Sequence, residues 1–253
     1  MLVFDAAFIV CASSAVILSG LAKGGFAGVG ALAMPIMVLG VPPLAAAAIL
    51  LPILVVQDVV GVASFRKTWD RVALGAVIPG MACGVLFGYI FATQVSEVAV
   101  LAMVGAIASL FGARGLWREL YGGAMLPSSS PPWVGTIFGM ASGFSSQIAH
   151  AGALPFHIWL IPRRLERDSF VGTSAIAFAF LNGIKVPAYA ALGQFTTDNL
   201  TVSAFLLPLA FISTWWGVWL VRRTDAVRYY RIIYGLMILL GAKLMIDAII
   251  SKL

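Results

Sequence analysis

Ten apolar runs, set apart by short segments that hold most of the basic residues, constrain this chain more than any other feature. They lie at roughly 6–21, 24–41, 43–65, 72–93 and 96–113, then at 132–149, 150–161, 169–192, 199–221 and 229–250. A helix that crosses a bilayer needs about 20 apolar residues, and three runs in each half are long enough. The first two runs of each half are shorter or interrupted by glycine. Soluble domains carry roughly a quarter of their residues as charge, whereas this 253-residue chain is 61% hydrophobic and only 10% charged. No soluble fold of that length hides so much apolar surface, so the solvent is a lipid bilayer. The expected fold class is an all-α polytopic membrane protein.

The net charge of +6 does not point to nucleic acid, because the basic residues cluster between the apolar runs as orientation signals do. Residues Met1 to Asp5 lack the basic region of a secretory signal, so the first run is expected to be retained. Cys11 and Cys83 lie inside apolar runs and read as small packing residues, with no disulfide or metal pattern. The Gly-, Ser- and Pro-rich stretch 121–132 is the one linker-like segment, near the midpoint.

That midpoint suggests a duplication, with repeats at 1–120 and 133–253. A shift of 129 positions carries Asp70, Pro79, Gly88 and Gly112-Ala113-Arg114 onto Asn199, Pro208, Gly217 and Gly241-Ala242-Lys243. Upstream, Ser19-Gly20 recurs as Ser142-Gly143, and Gly30 followed by Pro35 recurs as Gly152 followed by Pro155. Charge sets the relative orientation. The loop at 66–71 carries Arg66, Lys67 and Arg71, while its equivalent near 193–199 has no basic residue. Conversely, the loops at 92–97 and 40–43 have none, while their equivalents carry Arg222, Arg223, Arg228 and Arg231, and Arg163, Arg164 and Arg167. Cytoplasmic loops collect Lys and Arg, so homologous loops are expected on opposite sides, as in an inverted-topology repeat. Loops 66–71, 114–131, 161–168 and 222–231 are then inside and both chain termini outside. The first two runs of each half form either two crossings or a re-entrant hairpin, giving about 8–10 helical segments. Trp69, Trp133, Trp159 and Tyr229-Tyr230 fall near run ends, where interfacial aromatics are expected.

Ionisable residues inside a span are expensive and mark function. Twelve of the sixteen Lys and Arg fall in the four inside loops, and Lys243 and Lys252 lie near the C-terminal end. Lys23 and Lys185 remain as intramembrane cations, accompanied by Gln57, Asp58, Gln147, His150, His157 and Asn182. Lys23 sits beside Gly24-Gly25 in a glycine-rich stretch that ends at Pro35. A helix broken there aims freed amides and a partial positive charge at one point, which makes an anion site of Lys23, Gly24 and Gly25. The alternative is that the glycines let helices pack closely. The equivalent stretch Ser142 to Pro155 supplies Gln147, His150 and Gly152, groups that hydrogen-bond an oxyanion; the alternative for His150 is a histidine satisfied by a nearby carbonyl. His157 is expected at the cytoplasmic interface. In the middle runs, Gln57 and Asn182 would orient a substrate and Lys185 neutralise its charge. Asp58 or His150 would carry a coupling proton. Alternatively, Asp58 and Lys185 pair with each other as a structural ion pair.

Enzyme readings find no support in the pattern. His150 and His157 do not have zinc-ligand spacing, and no phosphate loop or nucleophile elbow occurs, so neither metal nor cofactor is expected.

At its two glycine segments, Gly20 to Pro35 and Ser142-Gly143 to Gly152 and Pro155, the sequence resembles the TauE/SafE family of sulfite and organosulfonate exporters, within the toluene-sulfonate permease group. The resemblance covers nearly the whole chain. It implies export of a small sulfur oxyanion, such as sulfite, sulfoacetate or another organosulfonate, across a bacterial inner membrane. Family members often have a further Gly or Pro where this chain has Ala153-Leu154, which leaves substrate size open. The expectation is therefore a secondary transporter in which the two broken segments meet near the midplane and one half rocks against the other. Its partners are a small anion and the bilayer, with homo-oligomerisation left open. A passive anion channel and a non-transporting membrane subunit are the alternatives. Replacing Lys23 by Met is expected to abolish transport and leave folding intact.

Overall fold

A computed structural model of the chain describes residues 6–26, 29–91, 94, 96–121, 130–191 and 193–250. Gly28, positions 122–129 of the expected linker, and both chain ends lie outside the described residues. Among those described, the chain is helical and contains no strand. The first half comprises α1 (Ala6–Lys23), a 3-10 turn at Val29–Leu32, the six-residue α2 (Ala33–Val38), α3 (Pro43–Phe65), α4 (Arg71–Ile90) and α5 (Glu97–Tyr121). The second runs in the same order: α6 (Pro132–Ala149), the eight-residue α7 (Ala153–Leu160) with a 3-10 turn at Ile161–Arg163, α8 (Arg167–Ala191), α9 (Thr197–Arg223) and α10 (Ala226–Ile250).

Local chemistry fixes the starts. Pro43 and Pro132 open α3 and α6 after a second proline, where the missing amide costs nothing. Asp70 caps α4 by accepting from the Ala73 amide at 2.6 Å, and Asp225 accepts from Val227 and Arg228 at the start of α10. Among the described residues, six stretches are long and apolar enough to cross a membrane: Ala6–Lys23, Ala45–Phe65, Arg71–Ile90, Arg167–Ala191, Thr197–Arg223 and Val227–Ile250. At a rise of 1.5 Å per residue, α2 and α7 cover about 9 and 12 Å, against a hydrocarbon core of about 30 Å, so neither crosses alone. The outward faces are apolar. On α9, Phe205, Phe211, Trp215, Trp216 and Trp219 are all exposed, as lipid contact requires.

Some boundaries differ from the hydropathy pattern. The run 24–41, expected to be interrupted at its glycines, is among the described residues a 3-10 turn followed by the short α2. α5 continues beyond residue 113 through Arg114, Arg118 and Glu119 to Tyr121, because helical backbone does not stop where polarity begins. Likewise Arg222 and Arg223 end α9 while Arg228 and Arg231 lie within α10, leaving almost no loop between them.

The chain forms two compact units, each drawing on both sequence halves. Unit 1 is Met1–Thr68 with Ser174–Arg223; unit 2 is Trp69–Thr173 with Thr224–Leu253. In unit 1, α1 and α3 pack on α9 around Phe8, Val16, Ile49, Ile53, Val202 and Ala210. A Cβ at Gly24 would sit 2.5 Å from the Gly217 backbone, so the α1–α9 crossing depends on glycine. At one end of this unit, Arg222 donates to the Ser64 carbonyl at 3.0 Å and covers the Phe65 ring. In unit 2, α4 packs on α6 and α5 on α10. Side chains at Gly80, Gly84, Gly139 or Gly143 would strike backbone of the facing helix. The basic segments of this unit gather at one end: Arg164 pairs with Glu119, Arg167 donates to the Thr224 carbonyl, and Tyr230 donates to the Leu165 carbonyl.

The aromatics at run ends divide. Trp133 is exposed, but Trp159, Tyr229 and Tyr230 are buried within unit 2, where Arg163 covers Trp159 and Arg164 covers Tyr230. Arginine–aromatic stacking holds these rings inward, in place of the lipid headgroup contact expected of them. Cys11 is half-buried and Cys83 exposed, and both are free thiols.

Candidate functional site

Lys23 is the last residue of α1, and its position follows from how that helix ends. Gly25 takes φ 131°, a left-handed conformation that glycine enters without a Cβ clash. Around it, the Gly24 amide donates to the Gly20 carbonyl, Gly25 to Ala22 and Phe26 to Leu21, at 2.8, 3.1 and 3.0 Å. This is a glycine C-cap, and it satisfies carbonyls that α1 would otherwise leave open. The Gly24 and Gly25 amides, read from sequence as anion donors, are spent on that cap. The side chain of Lys23 leans back along α1, as helical side chains do, and meets α3.

Its ammonium lies 2.6 Å from Asp58 Oδ1. The second carboxylate oxygen, Oδ2, accepts from Asn182 Nδ2 on α8 at 2.6 Å. Asp58 is 2% exposed and Asn182 5%. Lys185, one turn further along α8, is 1% exposed and near enough to act electrostatically on both Asp58 and Lys23. The carboxylate that sequence reasoning offered to Lys185 is thus bonded to Lys23 and Asn182, with Lys185 acting on it by charge. The ring of Phe178 faces the Lys23 ammonium at 5.1 Å. Gly61, one turn beyond Asp58, lets α1 come close: a Cβ there would sit 3.2 Å from the Lys23 carbonyl.

Gln57 precedes Asp58 and also reaches α1. Its Nε2 donates to the Val16 carbonyl at 3.1 Å, an oxygen that also receives the hydroxyls of Ser19 at 3.0 Å and Ser213 at 3.3 Å. Gln57 is fully buried, and its Oε1 has no hydrogen-bond partner among the described residues.

Unit 2 holds the second glycine segment. His150 caps α6 at φ 53°, with its amide on Ser145 and Ser146, so a left-handed residue ends the long helix here as Gly25 does in unit 1. Gly152 opens the turn into α7, and its carbonyl accepts from Ser142 Oγ at 2.7 Å. Gln147 faces Gly88, where a Cβ would sit 2.7 Å from its own, and its Oε1 is buried without a partner among the described residues. His157 is 2% exposed and stacks on Phe170 at 5.5 Å, so it packs inside unit 2 and does not face an interface.

Sequence reasoning named Lys23, Gln57, Asp58, Asn182 and Lys185; the structure brings Lys23, Asp58, Asn182 and Lys185 together in unit 1, with Gln57 next to Asp58 on α3 and bonded to α1. It missed Phe178, Gly61 and Ser213. Gly61 carried a usable signal, since it stands three residues after Asp58 on the same helix face.

Lipid-length helices with apolar outer faces that bury a charged cluster define a multi-pass membrane transporter. The chain belongs to the sulfite exporter TauE/SafE family, whose profile matches residues 12–244. Members of that family are transporters and not enzymes. No curated protein and no solved structure matches the chain.

Proposed function

We propose that this protein is a secondary exporter of a small sulfur-containing oxyanion, sulfite or an organosulfonate, in a bacterial inner membrane. The observation that carries the reading is the charge count of the unit 1 cluster. Two ammonium groups, the partly exposed Lys23 and the buried Lys185, surround one carboxylate, Asp58. The formal sum of these three groups is one positive charge, and net charge at membrane depth is costly. A singly charged oxyanion supplies the balance. Family membership supports the sulfur chemistry.

In this reading Lys23 and Lys185 bind the anion, while Asn182 and Gln57 orient it. Asp58 is the carboxylate of the cluster and can take up and release a proton between the anion-bound and anion-free states. Asp58 is therefore proposed as the proton-coupling group. Gln147 and His150, with the Gly152 turn, are proposed as a further anion contact within unit 2. The basic loops at 66–71, 114–131, 161–168 and 222–231 would face the cytoplasm, following the bias of Lys and Arg to that side.

The test is sulfite flux in proteoliposomes under an imposed pH gradient. Wild-type protein accumulates sulfite against its gradient and Lys185→Met does not. Full accumulation by Lys185→Met would remove the cluster from the transport path.

A further inference from the structure

We infer that the unit 1 cluster selects a monoanion that still carries an O–H, hydrogensulfite in its hydroxyl form, over sulfonates that lack one. This rests on the anion-site reading above and specifies what that site recognises.

A buried amide oxygen without a donor costs free energy, and native proteins leave few such groups unexplained. Gln57 Oε1 is one: the residue is fully buried and its Nε2 is already committed to the Val16 carbonyl. The amide is thereby held in one orientation. Turning it over would set Oε1 against another carbonyl oxygen, so the open position is an acceptor and not a donor. A ligand that fills it must donate a hydrogen bond.

Placement ties this acceptor to the charged cluster. Gln57 and Asp58 are consecutive on α3 and both contact α1, Gln57 at Val16 and Asp58 at Lys23. Side chains on a helix lean toward its N-terminus, so Lys23, two turns beyond Val16 on the same face of α1, reaches Asp58 on the side of α1 that Gln57 also contacts. A Cβ at Gly20 would run into Ser213, whose hydroxyl is shared between the Ala210 carbonyl at 3.1 Å and the Val16 carbonyl at 3.3 Å. The surrounding groups on α1 and α9 are thus occupied donors. Gln57 Oε1 remains the acceptor that a ligand's O–H can reach while the ligand's charged oxygens meet the two ammonium groups. A fully ionised sulfonate satisfies the ammoniums but leaves Oε1 bare.

Sites built to bond a ligand hydroxyl discriminate strongly against analogues without it. The experiment compares dissociation constants of the purified protein for hydrogensulfite, hydrogenselenite and methanesulfonate at pH 6. Hydrogenselenite is a hydroxyl-bearing monoanion and methanesulfonate a monoanion with no O–H. Wild-type protein is expected to bind the two hydroxyl acids on the order of tenfold to a hundredfold more tightly than methanesulfonate. Gln57→Met, of similar volume, is expected to abolish that preference. Equal binding of all three anions by the wild type, or a preference unchanged in Gln57→Met, overturns the inference. The wild-type comparison decides the matter even if the variant does not fold. Binding of any of the anions that is unaffected by Lys185→Met would instead overturn the anion site itself, a separate outcome.

Discussion

Replacing Lys23 by Met removes one partner of an ion pair whose other member, Asp58, has a side chain only 3% exposed. Breaking a buried pair from one side costs about 3–5 kcal/mol, mostly because a charge is left uncompensated. Asp58 keeps Asn182 on Oδ2 and the field of Lys185, which places the loss at the lower end, about 3 kcal/mol. That differs from the sequence-based expectation of intact folding, and the reason is a contact 35 positions apart that no local pattern reports. The double variant Lys23→Met/Asp58→Asn removes both charges and keeps an amide for Asn182 to bond. Its stability is expected to return to within about 1 kcal/mol of wild type, because replacing a whole buried pair is often neutral. Unfolding in detergent, followed by tryptophan fluorescence, measures both steps, and sulfite flux is expected to be lost in both variants. A single variant as stable as wild type, or a double variant no better than the single, would refute the reasoning that Lys23 compensates Asp58.

Three further outcomes follow from the packing. Gly84→Val should prevent assembly of unit 2, since its side chain would enter the α6 backbone at Met140 and Phe144; the expected loss is at least about 3 kcal/mol, read as loss of the monodisperse peak on size exclusion. Gly25→Ala should lower stability by about 1–2 kcal/mol, the cost of a Cβ at φ 131°, measured in the same unfolding assay. Cysteines introduced for Arg66 and Arg222 in a Cys11→Ser/Cys83→Ser background should react with an impermeant maleimide from one and the same face, because Arg222 bonds the Ser64 carbonyl; labelling from opposite faces would contradict that contact.

Most helices were legible in the sequence because their boundaries are set by local chemistry. The pairs Pro42-Pro43 and Pro131-Pro132 mark the starts of α3 and α6, and the apolar runs 43–65 and 132–149 coincide with those helices. α5 was cut short at 113 because hydropathy ends where Arg114 appears, although arginine and glutamate favour helix and Glu119 is held by Arg164. The break within the run 24–41 was legible from Gly24-Gly25 and not from hydropathy, which is blind to backbone dihedrals. For the candidate site, the rarity of ionisable residues in apolar runs singled out Lys23, Asp58 and Lys185 without revealing who bonds whom. Partner choice depends on how α1, α3 and α8 pack, which is tertiary information. The glycine pair at 24–25 had two readings, and the geometry assigns it to capping α1 and to the close crossing with Gly217. Membership of the family was also legible, since the glycine segments that carry the resemblance lie inside the matched region.

That each unit combines helices from both halves has a consequence during synthesis. Asp58 and Asn182 are 124 positions apart, and at about 5–20 residues per second the ribosome needs roughly 6–25 s to make the second after the first. For that interval the nascent α1 and α3 sit in lipid with the Lys23–Asp58 pair as their only shared charge compensation from this set, and α9, which both will pack against, does not yet exist. Insertion order therefore selects for a pair that forms early between neighbours in the chain, and it exposes newly made protein to quality-control proteases whenever that pair is weakened.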